Sequence, residues 1–357
     1  MSAQRISQFR SAMVKDGLDA FFVNHIDHIR YLTGFTGSTA ILIVHRKGAD
    51  FLTDFRYKSQ AIKQVSGAKV HIITGDAILN LKNFPHLNPR YGRLGISQDH
   101  MTLALQDRLR QSLNQAILLP SGSLSAELGW VKDKGEIDNI SKAAVIADAA
   151  FSAILPIIQP GVREMEVRAE LEYQMMMRGS EKPAFETIVA SGFRSAMPHG
   201  VASQKKIAKG DFVTLDFGAT VGGYVCDITR TVVIGKATPK HKKIYYTVLK
   251  AQLASIKKVK AGIPAKDVDT AGRDIITKAG YGEKFGHGTG HGIGFYIHVG
   301  PNVSQASKAI LKPNNVITIE PGIYLEGWGG VRIEDDVVVT PSGGRVLNKA
   351  PKNLLEL

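Results

Sequence analysis

The chain has a single cysteine, Cys226, so no disulfide forms within it and nothing in it calls for an oxidising compartment. It lacks any uninterrupted apolar run close to the roughly 20 residues that a membrane-spanning helix needs. Its first ten residues, Met1 to Arg10, are polar and carry no apolar signal core. No fixed-period repeat and no low-complexity tract is present. Together these absences make a cytoplasmic globular protein the simplest expectation.

What is there points the same way. A chain of 357 residues is too long for one ordinary core and long enough for two. Its hydrophobic share of 44% and charged share of 22% are those of a folded soluble protein. The net charge of +13 raises nucleic acid or an anionic membrane as partners. However, the basic residues are spread along the chain. The densest cluster, Lys240, His241, Lys242, Lys243, Lys250, Lys257, Lys258 and Lys260, lies where Tyr245, Leu249, Leu253 and Ile256 recur at helical spacing. That is the pattern of a solvated helix face. It lacks the aromatic interleaving typical of a single-strand binding groove, and neither nucleic acid nor membrane is expected as a partner.

Strand-like runs at Ala20–Val23, Ala40–Val44 and Val70–Ile73 alternate with helical patterns at Ser7–Asp16 and Leu103–Leu113. This predicts an α/β domain with some parallel pairing. A Pro/Ser/Gly-rich stretch at Leu119–Ala126 marks a boundary, giving domains 1–125 and 126–357. Beyond it, Ile137, Ile140, Ala144, Ala147, Phe151 and Ile154 predict a helix ending at Pro156. A second helix is expected from about Arg163 to Arg178, stopped by Gly179, with Met175-Met176-Met177 as core filler. Strands, two helices and further strands follow, so the second domain is expected to be α+β.

Three segments carry candidate chemistry. In Asp211–Gly235, Val213, Leu215 and Phe217 alternate with polar or small residues, and Val221-Gly222-Gly223 signals a hairpin. A Val221-Gly222 loop would set Asp216 opposite Asp227. Two facing carboxylates repel unless a cation lies between them; the plainer alternative sends one of them to solvent. In Phe285–Pro301, His287, His291 and His298 are interleaved with glycines that allow close backbone approach. The glycine spacing there matches neither GxGxxG nor a P-loop, which excludes the common phosphate cradles. In Val316–Thr340, Glu320 sits inside an apolar run, where a carboxylate is costly unless paired or metal-bound. Glu334 follows Arg332, which could serve as its ion-pair partner. Four carboxylates and one imidazole carry too much negative charge for one divalent ion. Two ions, as Mn(II), Co(II) or Fe(II), suit this oxygen-rich set better than a structural zinc.

The ordered motifs LDFG (Asp216), CDITRT (Asp227), HGTGHGIG (His291), IEPGIY (Glu320, Tyr324) and VRIEDD (Arg332, Glu334) resemble the pita-bread metallopeptidases, which include prolidase and aminopeptidase P. SGFRSAMPHG, with His199, is similar to that family's substrate-side histidine segment. DHIRYLTGFTGS and LTDFRY are similar to a creatinase-type N-terminal domain. The resemblance implies an α/β N-terminal domain before an α+β pita-bread catalytic domain. It also implies two divalent ions, Mn(II) foremost with Co(II), Fe(II) or Zn(II) as alternatives, and a homodimer. Asp216 would bind one ion through both oxygens, Asp227 and Glu334 would bridge, and His291 would bind the other. Glu320 would ligate and act as base, with His199, His287 and His298 on the substrate side. The implied substrate is a peptide with proline second, cleaved before the proline by an aminopeptidase P-like enzyme; a prolidase acting on Xaa-Pro dipeptides is the alternative. Asn302 stands where many prolidases carry an arginine that grips a dipeptide's carboxylate, Val299 where they carry an acidic residue, and Phe295 where a smaller aliphatic is common. Two other readings remain open at this point: a non-catalytic peptide-binding module on the same fold, and a metal-free creatinase-type hydrolase. Neither needs the intact donor set.

Overall fold

A computed structural model describes residues 2–84, 92–122 and 129–357. The expected boundary after residue 125 lies outside the described residues. The chain divides into two compact units, Met1–Leu128 and Gly129–Leu357.

In the first unit, strands β1 (Ala20–Val23), β2 (Ile41–His45), β3 (Gly48–Asp54), β4 (Lys69–Ile73), β5 (Arg93–Ile96) and β6 (Ile117–Pro120) form a six-stranded sheet in the order β4-β3-β2-β1-β5-β6. The pairs β1–β5, β5–β6 and β3–β4 are parallel and the others antiparallel. Helices α1 (Ser2–Lys15), α2 (Ile26–Thr33), α3 (Lys58–Gln64), α4 (Ala77–Asn80) and α5 (Leu103–Ser112) accompany the sheet. Strand β1 is apolar throughout because both of its faces are covered. Phe21 and Val23 join a core with Phe9, Met13 and Ile29, while Ala20 and Phe22 join another with Ile78, Leu94 and Leu109.

The second unit opens with α6 (Lys134–Ile154), started by a capping box in which Asp133 and Glu136 satisfy each other's backbone amides. By length and composition this helix is apolar enough to cross a membrane. Yet Ile137, Ile140, Ala144, Ala147, Phe151 and Ile154 are buried in the unit's own core. Helix α7 (Glu164–Met177) follows. Only Met175 of the methionine run is core filler; Met176 and Met177 are exposed, since successive helical positions point in different directions. A three-stranded sheet, β11-β8-β7, is built from β7 (Ile188–Ser191), β8 (Phe212–Phe217) and β11 (Ile228–Val233). The short hairpin β9 (Thr220–Val221) and β10 (Tyr224–Val225) lies between β8 and β11 in sequence. Helices α8 (Pro239–Lys258) and α9 (Ala265–Lys278) pack against each other. The lysines of α8 are exposed, as a solvated face requires, and Leu253 joins them outside the core. Next come β12 (Gly290–Gly292), β13 (Val299–Val303), β14 (Val316–Ile319), β15 (Gly322–Leu325), β16 (Gly329–Arg332), β17 (Asp335–Val339) and β18 (Gly344–Val346). They form a five-stranded sheet, β13-β12-β14-β17-β18, and a hairpin, β15-β16.

The hairpin register differs from the one read off the sequence. Val221 pairs with Tyr224, so the turn is Gly222-Gly223, with φ of 58° and 81°. The turns that suit twisted strands need positive φ at the first central position and, in the type I′ form, at both, which two glycines provide and Val221 as the first resists. Asp216 therefore faces Thr229, and Asp227 sits diagonally from it in the break between β10 and β11.

Candidate metal centre and cleft

A cleft of about 860 Å³ in the second unit brings together Asp216, Asp227, His291, Glu320 and Glu334. His199, His287, His298, Asn302, Tyr324 and Arg332 also line it. Three of the carboxylates lie just outside regular strands: Asp227 before β11, Glu320 after β14, and Glu334 between β16 and β17. His291 is the middle residue of β12. A Cβ on Gly290 would stand 2.0 Å from the Thr318 carbonyl oxygen, so glycine there lets β12 approach β14 closely. His291 Nε2 lies 3.4 Å from Glu320 Oε1 and 3.7 Å from Asp227 Oδ2. Asp227, His291 and Glu334 each offer a donor atom within 4.8 Å of the others. His291 Nδ1 faces the Gly292 carbonyl at 3.1 Å; that contact places the proton on Nδ1 and leaves the Nε2 lone pair for a cation.

Each donor is held from behind. Arg332 Nη2 donates to Asp216 Oδ2 at 2.6 Å. The Asp227 amide donates to Asp336 Oδ2 at 3.0 Å. Thr229 donates its hydroxyl to Glu334 Oε2 at 2.5 Å, and Arg230 Nη1 donates to the Glu334 carbonyl at 2.6 Å. Arg332 is thus not the partner of Glu334. It ends β16, its Nε donates to Thr229 Oγ1 at 3.1 Å, and its Nη1 donates to Tyr324 Oη and the Pro198 carbonyl at 3.0 and 3.2 Å. His287 Nδ1 faces the Gly288 carbonyl, so its Nε2 accepts from Tyr324 Oη; both contacts are 2.8 Å. Both ring nitrogens of His287 are therefore engaged. The His298 ring lies against that of His291, centroids 4.3 Å apart, and His199 is exposed at the cleft.

Burial of like charges dominates the electrostatics. Loss of solvent pushes Glu320 up to about 8, and the Arg332 guanidinium only partly opposes it. Burial, then the neighbouring carboxylates, raises Asp227 and Glu334 well above the ordinary carboxylate range. Burial lowers His291 to about 4, with His298 adding repulsion, so His291 is neutral as a ligand must be. Asp216 Oδ1, Asp227 Oδ1 and Glu334 Oε1 are buried with no hydrogen-bond partner. Orphaned acceptors on three carboxylates, beside a neutral imidazole, make a donor set that fits divalent cations. With Oδ2 of Asp216 already accepting from Arg332, binding through both oxygens requires that atom to use both of its lone pairs.

This donor set, on a sheet-rich unit that follows an α/β unit, defines a pita-bread metallopeptidase. A sequence profile of metallopeptidase family M24 matches residues 138–341, and one of the creatinase/prolidase N-terminal domain matches residues 5–128. The chain belongs to metallopeptidase family M24 and is a peptidase. It is 37% identical to the Xaa-Pro dipeptidase of Pyrococcus horikoshii over 354 residues, covering 99% of both chains. The solved Xaa-Pro dipeptidase from Bacillus anthracis is 44% identical, with a TM-score of 0.96 over 100% of both chains. The X-Pro aminopeptidase from Thermotoga maritima is 38% identical, with a TM-score of 0.90 over 96% of this chain and 98% of the other.

Sequence reasoning did not single out Thr229, Arg230 or Asp336. All three lie within three residues of Asp227 or Glu334, in CDITRT and VRIEDD. Polar residues that flank a ligand in an otherwise apolar strand were the available signal.

The repulsion yields a measurable sign. Glu320 is raised from an ordinary 4.5 to about 8, so without cations its burial penalty grows as pH climbs through that window. Added Mn(II) should therefore raise the melting temperature of chelated protein more at pH 8 than at pH 5.5. Differential scanning fluorimetry at the two pH values checks this, and an equal shift at both would contradict it.

Proposed function

We propose that this peptidase is an Xaa-Pro dipeptidase that hydrolyses the bond before proline with two divalent ions, Mn(II) foremost. One observation carries the proposal: the five donors converge in a single cleft, in a chain similar over its full length to proteins named as Xaa-Pro dipeptidases. The aminopeptidase P-like action expected from the sequence becomes the second reading.

Asp216, Asp227, His291, Glu320 and Glu334 would hold the ions, which when bound would lower the pKa of water and polarise the scissile carbonyl. Glu320 accepts the water's proton on a carboxylate oxygen as the water oxygen bonds to the scissile carbonyl carbon, and delivers it to the proline nitrogen as the C–N bond breaks. His298 and His199 face the reacting carbonyl and donate to its oxygen as charge develops. His287 orients Tyr324, and Arg332 holds Tyr324 and Asp216 together. Phe185, Ile188, Val201 and Ile297 give the cleft an apolar wall suited to a proline ring and an apolar neighbour. Proline has no N–H, so a cleft that relies on that donor loses a bond to such a substrate.

A specific observation favours the second reading. Among the described residues, Arg332 is the only lysine or arginine lining the cleft, and it is committed to Asp216 and Tyr324. A dipeptide's carboxylate would then meet Asn302 or a histidine instead of a guanidinium. A longer peptide presents a neutral amide there.

The proposal extends to a cytoplasmic homodimer; light scattering should give twice the chain mass, and a monomer mass would refute it. Chelation should abolish cleavage and Mn(II) or Co(II) should restore it. Glu320→Gln should cut kcat by at least about 10²-fold while keeping some metal, whereas Glu334→Ala should lose metal; near-normal kcat in Glu320→Gln means that another group is the base. Comparing kcat/KM for an Xaa-Pro dipeptide with that for an Xaa-Pro-Xaa tripeptide separates the two readings. The dipeptide should be cleaved at least as well, and a clear tripeptide preference would reverse the assignment.

A further inference from the structure

Helix α9 carries an acid–base pair one turn apart, Asp269 and Arg273, outside the donor set. Asp269 is fully buried. Arg273 brackets it from both sides, Nε to Oδ2 at 2.7 Å and Nη2 to Oδ1 at 2.9 Å. Asp269 Oδ1 also accepts from the Thr289 amide and hydroxyl, at 3.0 and 2.9 Å. The guanidinium donates further to the carbonyls of Phe285 and His287, at 2.9 and 2.6 Å, and lies 4.1 Å over the Phe285 ring. One helical turn thus pins the segment Phe285–Thr289 at three residues.

That segment contains Gly286 and Gly288, whose backbone would otherwise be among the freest in the chain. What it supports is specific. The Thr289 carbonyl accepts from the Glu320 amide at 2.7 Å, and His291 follows two residues later. His291 and Glu320 therefore hang together on Thr289. The other donors are braced elsewhere: Asp216 by Arg332, Asp227 by Asp336, and Glu334 by Thr229 and Arg230.

We propose that Asp269 and Arg273 are positioning residues that set metal affinity on the His291–Glu320 side of the centre and leave the Asp216 side unaffected. The inference rests on the two-ion reading above. Arg273 acts on the ligands through Asp269 and Thr289, and loss of a ligand's direct outer partner weakens metal binding by about 10–100-fold, which sets the upper end of the effect.

The test is calorimetric titration of Mn(II) alone into chelated full-length protein, with native mass spectrometry counting ions per chain. Arg273→Lys keeps the charge beside Asp269 but cannot reach two carbonyls and bracket a carboxylate at once. It should bind one ion as the parent does and the second up to about 10–100-fold more weakly. Thr289→Val removes a single hydroxyl contact and should show the same one-sided effect, smaller, even if Arg273→Lys fails to fold. Co(II) absorbance should change for the weakened ion only. Equal weakening of both ions, or no weakening in either variant, overturns the proposal. A parent protein that takes up no ions would instead sink the two-ion reading and this inference with it.

Discussion

Asp216, Asp227, Glu320 and Glu334 share one cleft in which their own side chains are largely buried, and as anions they repel one another at short range. A fold that merely avoided this repulsion would set a basic side chain against every carboxylate. This one does so at a single point, where Arg332 grips one oxygen of Asp216. Elsewhere the supports are neutral or act on the backbone: a threonine hydroxyl on Glu334, the Asp336 carboxyl on the Asp227 amide, Arg230 on the Glu334 carbonyl. The groups are fixed in place while their charge is left unbalanced, which is the condition under which divalent cations bind tightly.

The scaffold meets a second demand, which is to bring donors from distant parts of the chain to within a few ångströms. Strand ends serve this well, because a side chain there escapes the alternation that would bury it in a sheet face or send it to solvent. Asp216 lies within β8, and His291 on a strand whose glycines trade side-chain packing for close approach. Such a strand needs external bracing, and α9 supplies it. The rigid and the permissive parts of the site are therefore consequences of one another.

Much of this was legible in the sequence. The donor set could be read because carboxylates inside apolar runs and histidines among glycines violate ordinary patterning. The alternation of β1, β2 and β4 with helices gave the class of the first unit. The hairpin register was misjudged because the sequence offers three turn residues in a row, and only the left-handed backbone at both Gly222 and Gly223 decides between them. The partner of Arg332 was misjudged because sequence proximity favoured Glu334, whereas the side chain of a strand-terminal residue reaches across to Asp216 on β8. Asp269 and Arg273 look like an ordinary surface pair at helical spacing; what distinguishes them is contact with residues far along the chain, which no local pattern records.

The same distinction explains why the reaction class is better determined than the substrate. Metal ligation depends on buried groups whose supports interlock, so altering one disturbs several, and the motifs stay readable together. Other lining residues, among them Asn302 and His199, are exposed and free of such interlocking. Asn302 and His199 contact no metal-donor atom in the hydrogen bonds of the site, so exchanging either for a cation would leave the donor geometry intact. Arg332 cannot take that role without releasing Asp216, which couples it to the metal centre and removes it from the choice. Relatives named Xaa-Pro dipeptidase and X-Pro aminopeptidase share this fold with TM-scores of 0.96 and 0.90, so the scaffold and its cleft do not by themselves fix which of the two actions follows.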